Sequence, residues 1–436
     1  MHNLKRLLSL ILILAVGCSA MGSSINVPVA RADVEREADP PSADVAALVA
    51  DNTAFAFDLY HQIVKEQDGN LIFSPYSIST ALAMVYAGAR GDTAAQMAQT
   101  LHYTLPPEQL HPAFNALDRI LEPPEAQRPT PRPPSDYGDP AEDLTLHIAN
   151  SLWGQEGFPF EDNFLRTLAL NYGAGINLAD LSKDPNGAQK TMNQWIEQMT
   201  NGHIKDMPPP GSITPATRLA LINAIYFKAE WAFPFNPKET HDAPFHLQDG
   251  SDVTAPMMVN DVAEIKCRRG EDYNALQMTY GADRKTAMLL LLPDVGKFRD
   301  FESRLDASMF QKELSEILFG NILDFSMPRF KFESEVDLRQ KLSTLGMTDA
   351  FDSGADFSGI GSGEVLFLDS AQHKATISLD EQGTEASGAT LVVMAISASR
   401  AQCDNPLIAD RPFIFAIYHQ ETGAILFLGR VMNPAG

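Results

Sequence analysis

The sequence predicts an α+β domain, because segments with helical periodicity and segments with strand character follow one another in no repeating order. Residues 219–228 are almost continuously apolar, as in a strand at the centre of a covered sheet. Residues 411–416 and 424–431 flank a short polar turn, which predicts two neighbouring strands. Apolar residues recur every three or four positions in the first predicted helix, at Val45, Leu48, Val49, Phe55, Leu59 and Ile63.

The other elements follow from periodicity and from residues that favour helix starts. A second helix is predicted to begin at Ser77 or Ser79 and to end near Gly88, and a third to begin at Asp92. The remaining predicted elements are a helix over 193–199, strands over 144–153 and 287–292, and a meander over 245–292.

Composition excludes several classes of function. The chain of 436 residues has a formal net charge of −23, which argues against nucleic acid or an anionic membrane surface as a partner. Sequence motifs of serine hydrolases, zinc proteases and phosphate-binding loops are absent, and the ten histidines lack metal-ligand spacing. We therefore expect a protein that is not an enzyme and that binds no metal or other cofactor.

The N-terminus has the pattern of an export signal. Lys5 and Arg6 precede a short apolar run, and the segment that ends at Cys18 is similar to the lipobox of bacterial lipoproteins. We expect residues 1–17 to be removed and Cys18 to carry lipid, which would anchor the protein at the cell envelope and provide its only membrane contact. The alternative is ordinary secretion to the extracellular space, with cleavage after Ala32.

Composition also divides the rest of the chain. Residues 18–43 are rich in Ala, Ser, Asp and Pro without periodicity, which predicts a tether. Residues 44–436 form the predicted domain, and residues 123–140 within it are a proline-rich insertion that should form an exposed, semi-rigid loop.

Two cysteines lie in the predicted domain, Cys267 and Cys403. An exported protein can join them in a disulfide, but the sequence does not show whether they are close. We expect free thiols, with Cys267 partly buried in a strand and Cys403 on a loop.

Residues 373–390 are the most informative segment. A strand-like run reaches Glu381 and Gly383, and only one residue larger than threonine, Glu385, follows before Leu391. The absence of proline keeps the segment able to join a sheet. Strand alternation would place four small residues on one face, namely Thr384, Ala386, Gly388 and Thr390. This composition suits a segment that is exposed in one state and buried as a strand in another.

The chain resembles the serpin family over most of its length. The resemblance is carried by five segments in the family's order, at residues 70–79, 223–231, 327–332, 407–415 and 427–434. It implies a serpin fold, which is α+β, with three β-sheets, eight to nine helices and an exposed reactive-centre loop.

The resemblance also implies roles for individual residues. Glu381 and Gly383 would begin the hinge of the reactive-centre loop, followed by the four small residues named above. His373 would join Asn223 and two serines in a buried cluster that lets the main sheet open. The implied sheet-opening residues are Ser74, Ser77, Asn223, Trp231 and His373, and Trp231 with Glu381 would also mark where insertion begins.

A loop of this kind implies irreversible suicide inhibition of serine endopeptidases, with cysteine endopeptidases as a second class. The protease would cleave the loop and be held as an acyl-enzyme while the freed segment inserts into the central sheet. We expect a monomer whose partner is the target protease. The alternative is a non-inhibitory serpin that acts as a binding or chaperone-like protein; such relatives usually carry bulky, charged or proline residues in the hinge.

Family spacing from the hinge places the cleaved bond between Ser397 and Ala398. The loop is longer before Pro412 than in compact relatives, so Ile396 and Arg400 are alternatives. Ser397 or Ile396 would suit elastase-like, subtilisin-like or papain-like enzymes, whereas Arg400 would suit a trypsin-like enzyme.

Overall fold

The computed structural model of the chain describes residues 25–122, 145–260, 265–319, 324–362, 366–384, 403–404 and 406–436. The predicted signal segment, Cys18 and the proline-rich insertion 123–140 lie outside these ranges. The described ranges contain three β-sheets and nine α-helices, which confirms the predicted α+β class.

Sheet A has seven strands. They are β1 (Val29–Ala30), β3 (Thr145–Gln155), β4 (Ile176–Ala179), β5 (Leu219–Glu230), β13 (Phe330–Asp337), β14 (Ser370–Leu379) and β15 (Gly383–Thr384). Their order across the sheet is β1-β4-β3-β5-β15-β14-β13, and β5 also pairs directly with β14. The β3–β4 and β5–β14 pairs are parallel, and the others are antiparallel.

Sheet B also has seven strands, and sheet C has four. Sheet B comprises β2 (Leu71–Phe73), β8 (Lys266–Arg269), β9 (Tyr273–Tyr280), β10 (Thr286–Pro293), β11 (Leu318–Phe319), β17 (Phe413–His419) and β18 (Ile425–Val431), in the order β11-β8-β9-β10-β17-β18-β2. Sheet C comprises β6 (His241–His246), β7 (Asp252–Asn260), β12 (Phe325–Pro328) and β16 (Leu407–Ile408), in the order β16-β12-β7-β6. The predicted meander over 245–292 is therefore divided between two sheets.

The nine helices of the described ranges vary from 7 to 20 residues. They are α1 (Val45–Val64), α2 (Pro75–Tyr86), α3 (Gly91–Thr100), α4 (Pro107–Leu121), α5 (Asp162–Tyr172), α6 (Pro185–Met199), α7 (Phe298–Arg304), α8 (Ala307–Glu316) and α9 (Leu338–Thr344), with a short 3-10 helix at Asp349–Phe351. Among the residues that the structure describes, no helix has the length and apolar character needed to cross a membrane.

Strand β5 is apolar on both faces because each face packs against a different core. Leu221, Ile225 and Phe227 belong to the main hydrophobic core, whereas Ala220 and Ile222 belong to a second core that includes Met192 and Ile196 of α6. A strand covered on both sides cannot show the polar–apolar alternation of a half-exposed strand. This explains the continuous apolar run in the sequence.

Helix α2 begins earlier than either predicted start, because Ser74 caps it. The Ser74 hydroxyl accepts a hydrogen bond from the Ser77 backbone N–H at 3.1 Å, and Pro75 occupies the first turn, where its missing N–H costs nothing. The predicted starts at Ser77 or Ser79 were wrong because a serine followed by proline is the stronger start signal.

The predicted tether is wrong for residues 25–37, which pack against the domain. Strand β1 pairs with β4 at the edge of sheet A. The Arg36 guanidinium lies 2.7 Å from the Asp118 carboxylate, and its Nε donates to Asn115 Oδ1, also at 2.7 Å. These contacts involve backbone pairing and one charged side chain, so the segment's low hydrophobicity did not reveal them.

Cys267 and Cys403 form a disulfide, with 5.9 Å between their Cα atoms. The expectation of free thiols was therefore wrong. Cys267 lies in β8 and is completely buried rather than partly buried, and Cys403 lies shortly before β16. The two residues are 136 positions apart in the sequence, so only the tertiary structure brings them together.

A buried ion pair joins α7 to β18. Arg430 is fully buried, and its Nη1 donates to Glu302 Oε1 at 2.6 Å while its Nε donates to the Gly69 carbonyl at 3.1 Å. The Tyr60 hydroxyl donates to the same Glu302 oxygen at 2.8 Å. Each charge is thus satisfied only while the other is present.

Replacing Arg430 with alanine should lower the free energy of unfolding by about 3–5 kcal/mol, because the buried Glu302 carboxylate loses its fully buried partner and keeps only a half-exposed cation, Arg299. Arg299 is the matched control: its Nη1 lies 3.3 Å from the other oxygen of Glu302, but its side chain is 49% exposed. Arg299→Ala should cost about 0–1 kcal/mol. Urea denaturation followed by tryptophan fluorescence measures both; equal losses would contradict this account.

Candidate functional site

The predicted hinge residues Gly383 and Thr384 form strand β15 between β5 and β14. β15 is antiparallel to both neighbours, pairing with Glu230 and Ala229 of β5 and with Leu379 of β14. Beyond β15 the same two neighbours pair directly and in parallel, from Ser370 opposite Ala220 to Thr376 opposite Tyr226. A strand that continued from β15 would therefore have to separate β5 from β14.

Only glycine fits at position 383. Its φ is +154°, and a Cβ there would lie 2.2 Å from the Ala229 carbonyl oxygen and 2.6 Å from the Glu230 Cα. Both neighbours are backbone atoms of β5 that cannot move aside as a flexible side chain could. The predicted use of glycine at the hinge thus has a steric reason as well as a conformational one.

The side chain of Thr384 is completely buried in the sheet. Its hydroxyl lies 3.2 Å from the Tyr280 hydroxyl, and the Tyr280 ring stacks on Trp231 with 4.2 Å between the ring centroids. The position accommodates a small polar residue next to two aromatic rings. A large or charged side chain has no space or partner there.

The turn that leads into β15 is held from several sides. The Trp231 backbone N–H donates to the Gln382 carbonyl at 2.7 Å, and its indole N–H donates to the Asp380 carbonyl at 3.1 Å. The Glu381 carboxylate accepts a hydrogen bond from the Thr240 hydroxyl at 2.8 Å. These contacts fix the point at which the segment enters sheet A.

A buried hydrogen-bond cluster spans β3, β5, β14 and the start of α2; we call it the histidine cluster. The Ser74 backbone N–H donates to His373 Nε2 at 3.1 Å, and the other ring nitrogen contacts Asn223 Oδ1. Asn223 Nδ2 donates to Ser77 Oγ at 2.7 Å and to Asn150 Oδ1. Ser77 Oγ donates to Asn150 Oδ1 at 2.9 Å. His373 and Asn223 are also opposite each other in the β5–β14 register, so the cluster lies on the seam between the two strands.

The cluster requires a neutral histidine. Because Nε2 of His373 accepts from the Ser74 N–H, the single ring proton is assigned to Nδ1, which donates to Asn223 Oδ1. Burial lowers the pKa of His373 from 6.5 to about 3, since desolvation disfavours the imidazolium. A second ring proton would also point at the Ser74 N–H, where no acceptor is available.

The structure places four of the five predicted sheet-opening residues together, and Trp231 apart from them. Trp231 follows the end of β5, eight positions beyond Asn223, which is roughly 27 Å along a strand. It belongs with the hinge turn and Glu381, so the predicted grouping does not hold for Trp231. The remaining predicted site residues lie outside the described ranges and stay predictions: Ala386, Gly388, Thr390, Ile396, Ser397, Ala398 and Arg400.

Three residues complete the site without having been predicted. Asn150 of β3 joins the histidine cluster, Tyr280 of β9 contacts Thr384, and Thr240 binds Glu381. Asn150 is one of several polar residues in the predicted strand 144–153, so the sequence does not single it out for a buried polar contact. Tyr280 and Thr240 carry no signal in the sequence either.

Comparison with known proteins supports the serpin fold that the sequence resemblance implies. The serpin family model (serine protease inhibitor) matches residues 50–434. An uncharacterized serpin-like protein of Thermococcus kodakarensis is 37% identical over 382 residues, which is 87% of this chain and 84% of that protein. The leukocyte elastase inhibitor of Bos taurus is 34% identical over 400 residues, or 89% of this chain and 99% of that protein.

Solved structures with the same architecture include uncleaved ovalbumin and human thyroxine-binding globulin. Ovalbumin has a TM-score of 0.75 and 26% identity, and the match covers 89% of this chain and 100% of that chain. Thyroxine-binding globulin in complex with its ligand has a TM-score of 0.77 and 28% identity, with 90% and 100% covered.

The sheets, the hinge and these matches define a serpin fold, as the sequence resemblance predicted. The chain belongs to the serpin family. Serpins such as the leukocyte elastase inhibitors are protease inhibitors and not enzymes.

The free energy of unfolding should fall as the pH falls below 6.5, because the unfolded chain protonates His373 and the native protein does not. Above pH 6.5 the residue is neutral in both states and has no effect. From pH 6.5 to 4.5 the expected loss from this residue is about 2–3 kcal/mol. Urea denaturation at several pH values measures it.

The matched variants are His373→Gln and His111→Gln. The pKa of His111 is also lowered by burial, to about 4, but this residue lies in α4 away from the β5–β14 seam. Each variant should show a weaker pH dependence than the wild type. Both variants should also lower stability at pH 7.5, because the His111 ring is hydrogen-bonded to the Tyr172 hydroxyl at 2.7 Å. The loss should be larger for His373→Gln, which removes two contacts of the histidine cluster. An unchanged pH profile in His373→Gln would contradict the assigned role.

Proposed function

We propose that this protein is an inhibitory serpin that traps a serine endopeptidase as an acyl-enzyme by inserting its cleaved loop into sheet A. The single observation that carries the proposal is β15, which is already paired with β5 on one side and β14 on the other. A strand that continued in the direction of β15 would enter the seam where those two strands pair with each other. Insertion of a reactive-centre loop is an established serpin example of strand addition.

Insertion would replace the single pairing of β5 with β14 by two pairings, one on each side of the new strand. The β5–β14 pairing covers seven residues of β14, from Ser370 to Thr376, and a strand between them would have a ladder on each side. A net gain of about 1 kcal/mol for each added hydrogen bond and about 0.8 kcal/mol for each buried methylene amounts to on the order of 10 kcal/mol for a full strand. A release of that size makes the trap irreversible in practice.

The target class follows from the bait residues and from the relatives. Ser397 and Ile396 suit proteases whose pockets accept small or aliphatic side chains, and the similarity to leukocyte elastase inhibitors supports an elastase-like target. Subtilisin-like and papain-like enzymes accept similar residues. Arg400 would instead suit a trypsin-like enzyme, which is the alternative target.

Thr384→Arg should convert the inhibitor into a substrate, because the insert cannot bury an unpaired charge where Thr384 contacts Tyr280. The amount of inhibitor consumed per trapped protease should rise about tenfold or more, since a cost of ~1.4 kcal/mol already changes a rate ratio tenfold. Incubation with elastase, subtilisin, papain and trypsin, followed by a denaturing gel, measures the trapped and cleaved forms.

Thr384→Ser is the control, because it keeps the hydroxyl and the small volume and should trap as the wild type does. Trapping by Thr384→Arg at wild-type yield would contradict insertion. If the wild type is cleaved by all four proteases without forming a complex, the heat stability of the cut protein decides. A cut form that melts no higher than the intact form would favour a non-inhibitory binding serpin.

We also propose that the protein is exported and held at the cell envelope by lipid on Cys18. Two observations support this proposal. The Cys267–Cys403 disulfide suits an oxidising compartment. In addition, cleavage before Cys18 would keep strand β1, whereas cleavage after Ala32 would remove it from sheet A.

Cys18→Ser should move the protein from the membrane fraction to the soluble fraction of fractionated cells, because lipid cannot be attached to serine in this position. The variant should trap protease as well as the wild type does, since Cys18 precedes the domain. Retention of Cys18→Ser in the membrane fraction would exclude the lipid anchor.

A further inference from the structure

The disulfide fixes the chain on the C-terminal side of the bait region, residues 385–402. Cys403 is bonded to Cys267 in β8, and the next residue, Asp404, exchanges two hydrogen bonds with the buried Asn274 of β9. Asn274 Nδ2 donates to the Asp404 carboxylate at 2.9 Å, and the Asp404 N–H donates to Asn274 Oδ1 at 3.3 Å. Residues 403–404 are therefore attached to sheet B by one covalent bond and two hydrogen bonds.

This anchor is close to the hinge. Cys267 lies opposite Leu276 of β9, and Tyr280, four residues further along the same strand, contacts Thr384. Four residues of strand span roughly 14 Å. The two ends of the bait region thus lie near one end of sheet A, with eighteen residues, 385–402, between them.

That spacing forbids full insertion of an intact chain. The fourteen residues from Thr384 to Ser397 would extend roughly 45 Å into sheet A. Tyr280 forms an antiparallel bridge with Trp231, just after β5, so Leu276 and the anchor lie on the side of the hinge away from the direction of insertion. Ser397 would therefore lie roughly 45 Å or more from the anchor. The six residue steps from Ser397 to Cys403 cover at most about 21 Å.

Without the disulfide, Cys403 no longer limits how far the uncut chain can reach. The hydrogen bonds of Asp404 involve a side chain that is 60% exposed, and β16 is a two-residue strand at the edge of sheet C. The next extensively paired residue is Phe413, at the start of β17. The sixteen steps from Ser397 to Phe413 can span about 55 Å, which is enough for full insertion without a cut.

We propose that the Cys267–Cys403 disulfide is a lock that makes insertion of the bait segment conditional on cleavage. The inference rests on the proposed inhibitory function. All candidate bait bonds, from Ile396 to Arg400, precede Cys403, so a protease cut frees the N-terminal segment from the lock in every case. The bond restrains only the uncleaved chain and thereby prevents loss of inhibitor by spontaneous insertion.

The lock is reversible by thiol–disulfide exchange. A dithiol reductant transfers two electrons and two protons to the bond, so that Cys267 and Cys403 become thiols and the dithiol becomes a cyclic disulfide. Cys403 is partly exposed, which gives the reductant access to its sulfur although Cys267 is buried. A reducing environment would therefore release the lock without any proteolysis.

The experiment follows intact protein during prolonged warming below its melting temperature. Wild type, wild type with dithiothreitol, and the double variant Cys267→Ser/Cys403→Ser are sampled for melting temperature, intact mass and protease trapping. The reduced protein and the double variant should convert to a monomeric, uncut form that melts higher and no longer traps protease. Conversion should be at least about tenfold faster than in the oxidised wild type, because only the chain without the disulfide is long enough for full insertion.

Two controls separate a lock from general weakening. Asp404→Ala removes the side-chain hydrogen bond to Asn274 but keeps the backbone hydrogen bond and the disulfide, so it should not convert. Dithiothreitol should have no effect on the double variant. Conversion of the oxidised wild type at the rate of the double variant would overturn the lock, and so would loss of the double variant by aggregation alone.

Deliberate cleavage distinguishes failure of the lock from failure of the proposed function. Wild type cut in the bait region should melt higher than the intact protein, and its C-terminal fragment should separate on a denaturing gel only after reduction. If cut protein melts higher but the double variant never converts, the lock is wrong and the inhibitory function stands. If cutting does not raise the melting temperature, the proposed function is wrong and the lock is rejected with it. Release of the fragment without reductant would show that the bond is absent and would also reject the lock.

Discussion

Strands β5 and β14 pair in parallel only as far as Tyr226 and Thr376. Beyond these residues, near the C-terminal ends of both strands, β15 lies between them. Sheet A is therefore one continuous sheet whose two central strands are joined directly over part of their length and through a third strand at one end. Strand β5 is covered on both faces, so a strand entering beside it meets packed side chains on each side. The arrangement of the whole site follows from this partial separation of the two strands.

The hinge and the seam between β5 and β14 are stabilised by different kinds of contact. Gly383 lies so close to the β5 backbone that no side chain fits, and Trp231 and Thr240 bind the turn before it. The seam is held by a backbone ladder and by the histidine cluster, whose polar groups are satisfied by one another. Separating the strands exposes those groups together, so the cluster opposes opening until an inserted strand compensates for it.

The number of residues between two fixed points links the fold to the proposed function. At one end the chain is fixed by β15, and at the other by the disulfide on sheet B. Between fixed points, extended residues set a maximum reach that no favourable contact can increase. Under the proposed mechanism, a cut removes that constraint, and the freed segment can then separate the seam.

Local patterns in the sequence were sufficient for the α+β class, the serpin resemblance, most helices and strands, and the use of Gly383 and Thr384 at the hinge, because periodicity and motif order are properties of neighbouring residues. Only the tertiary structure decided the Cys267–Cys403 bond, the docking of residues 25–37, the separation of Trp231 from the histidine cluster, and the parts played by Asn150 and Tyr280. These depend on contacts between residues far apart in the chain. Such contacts leave no periodic signal, and the packing of the sheets alone determines which side chains meet.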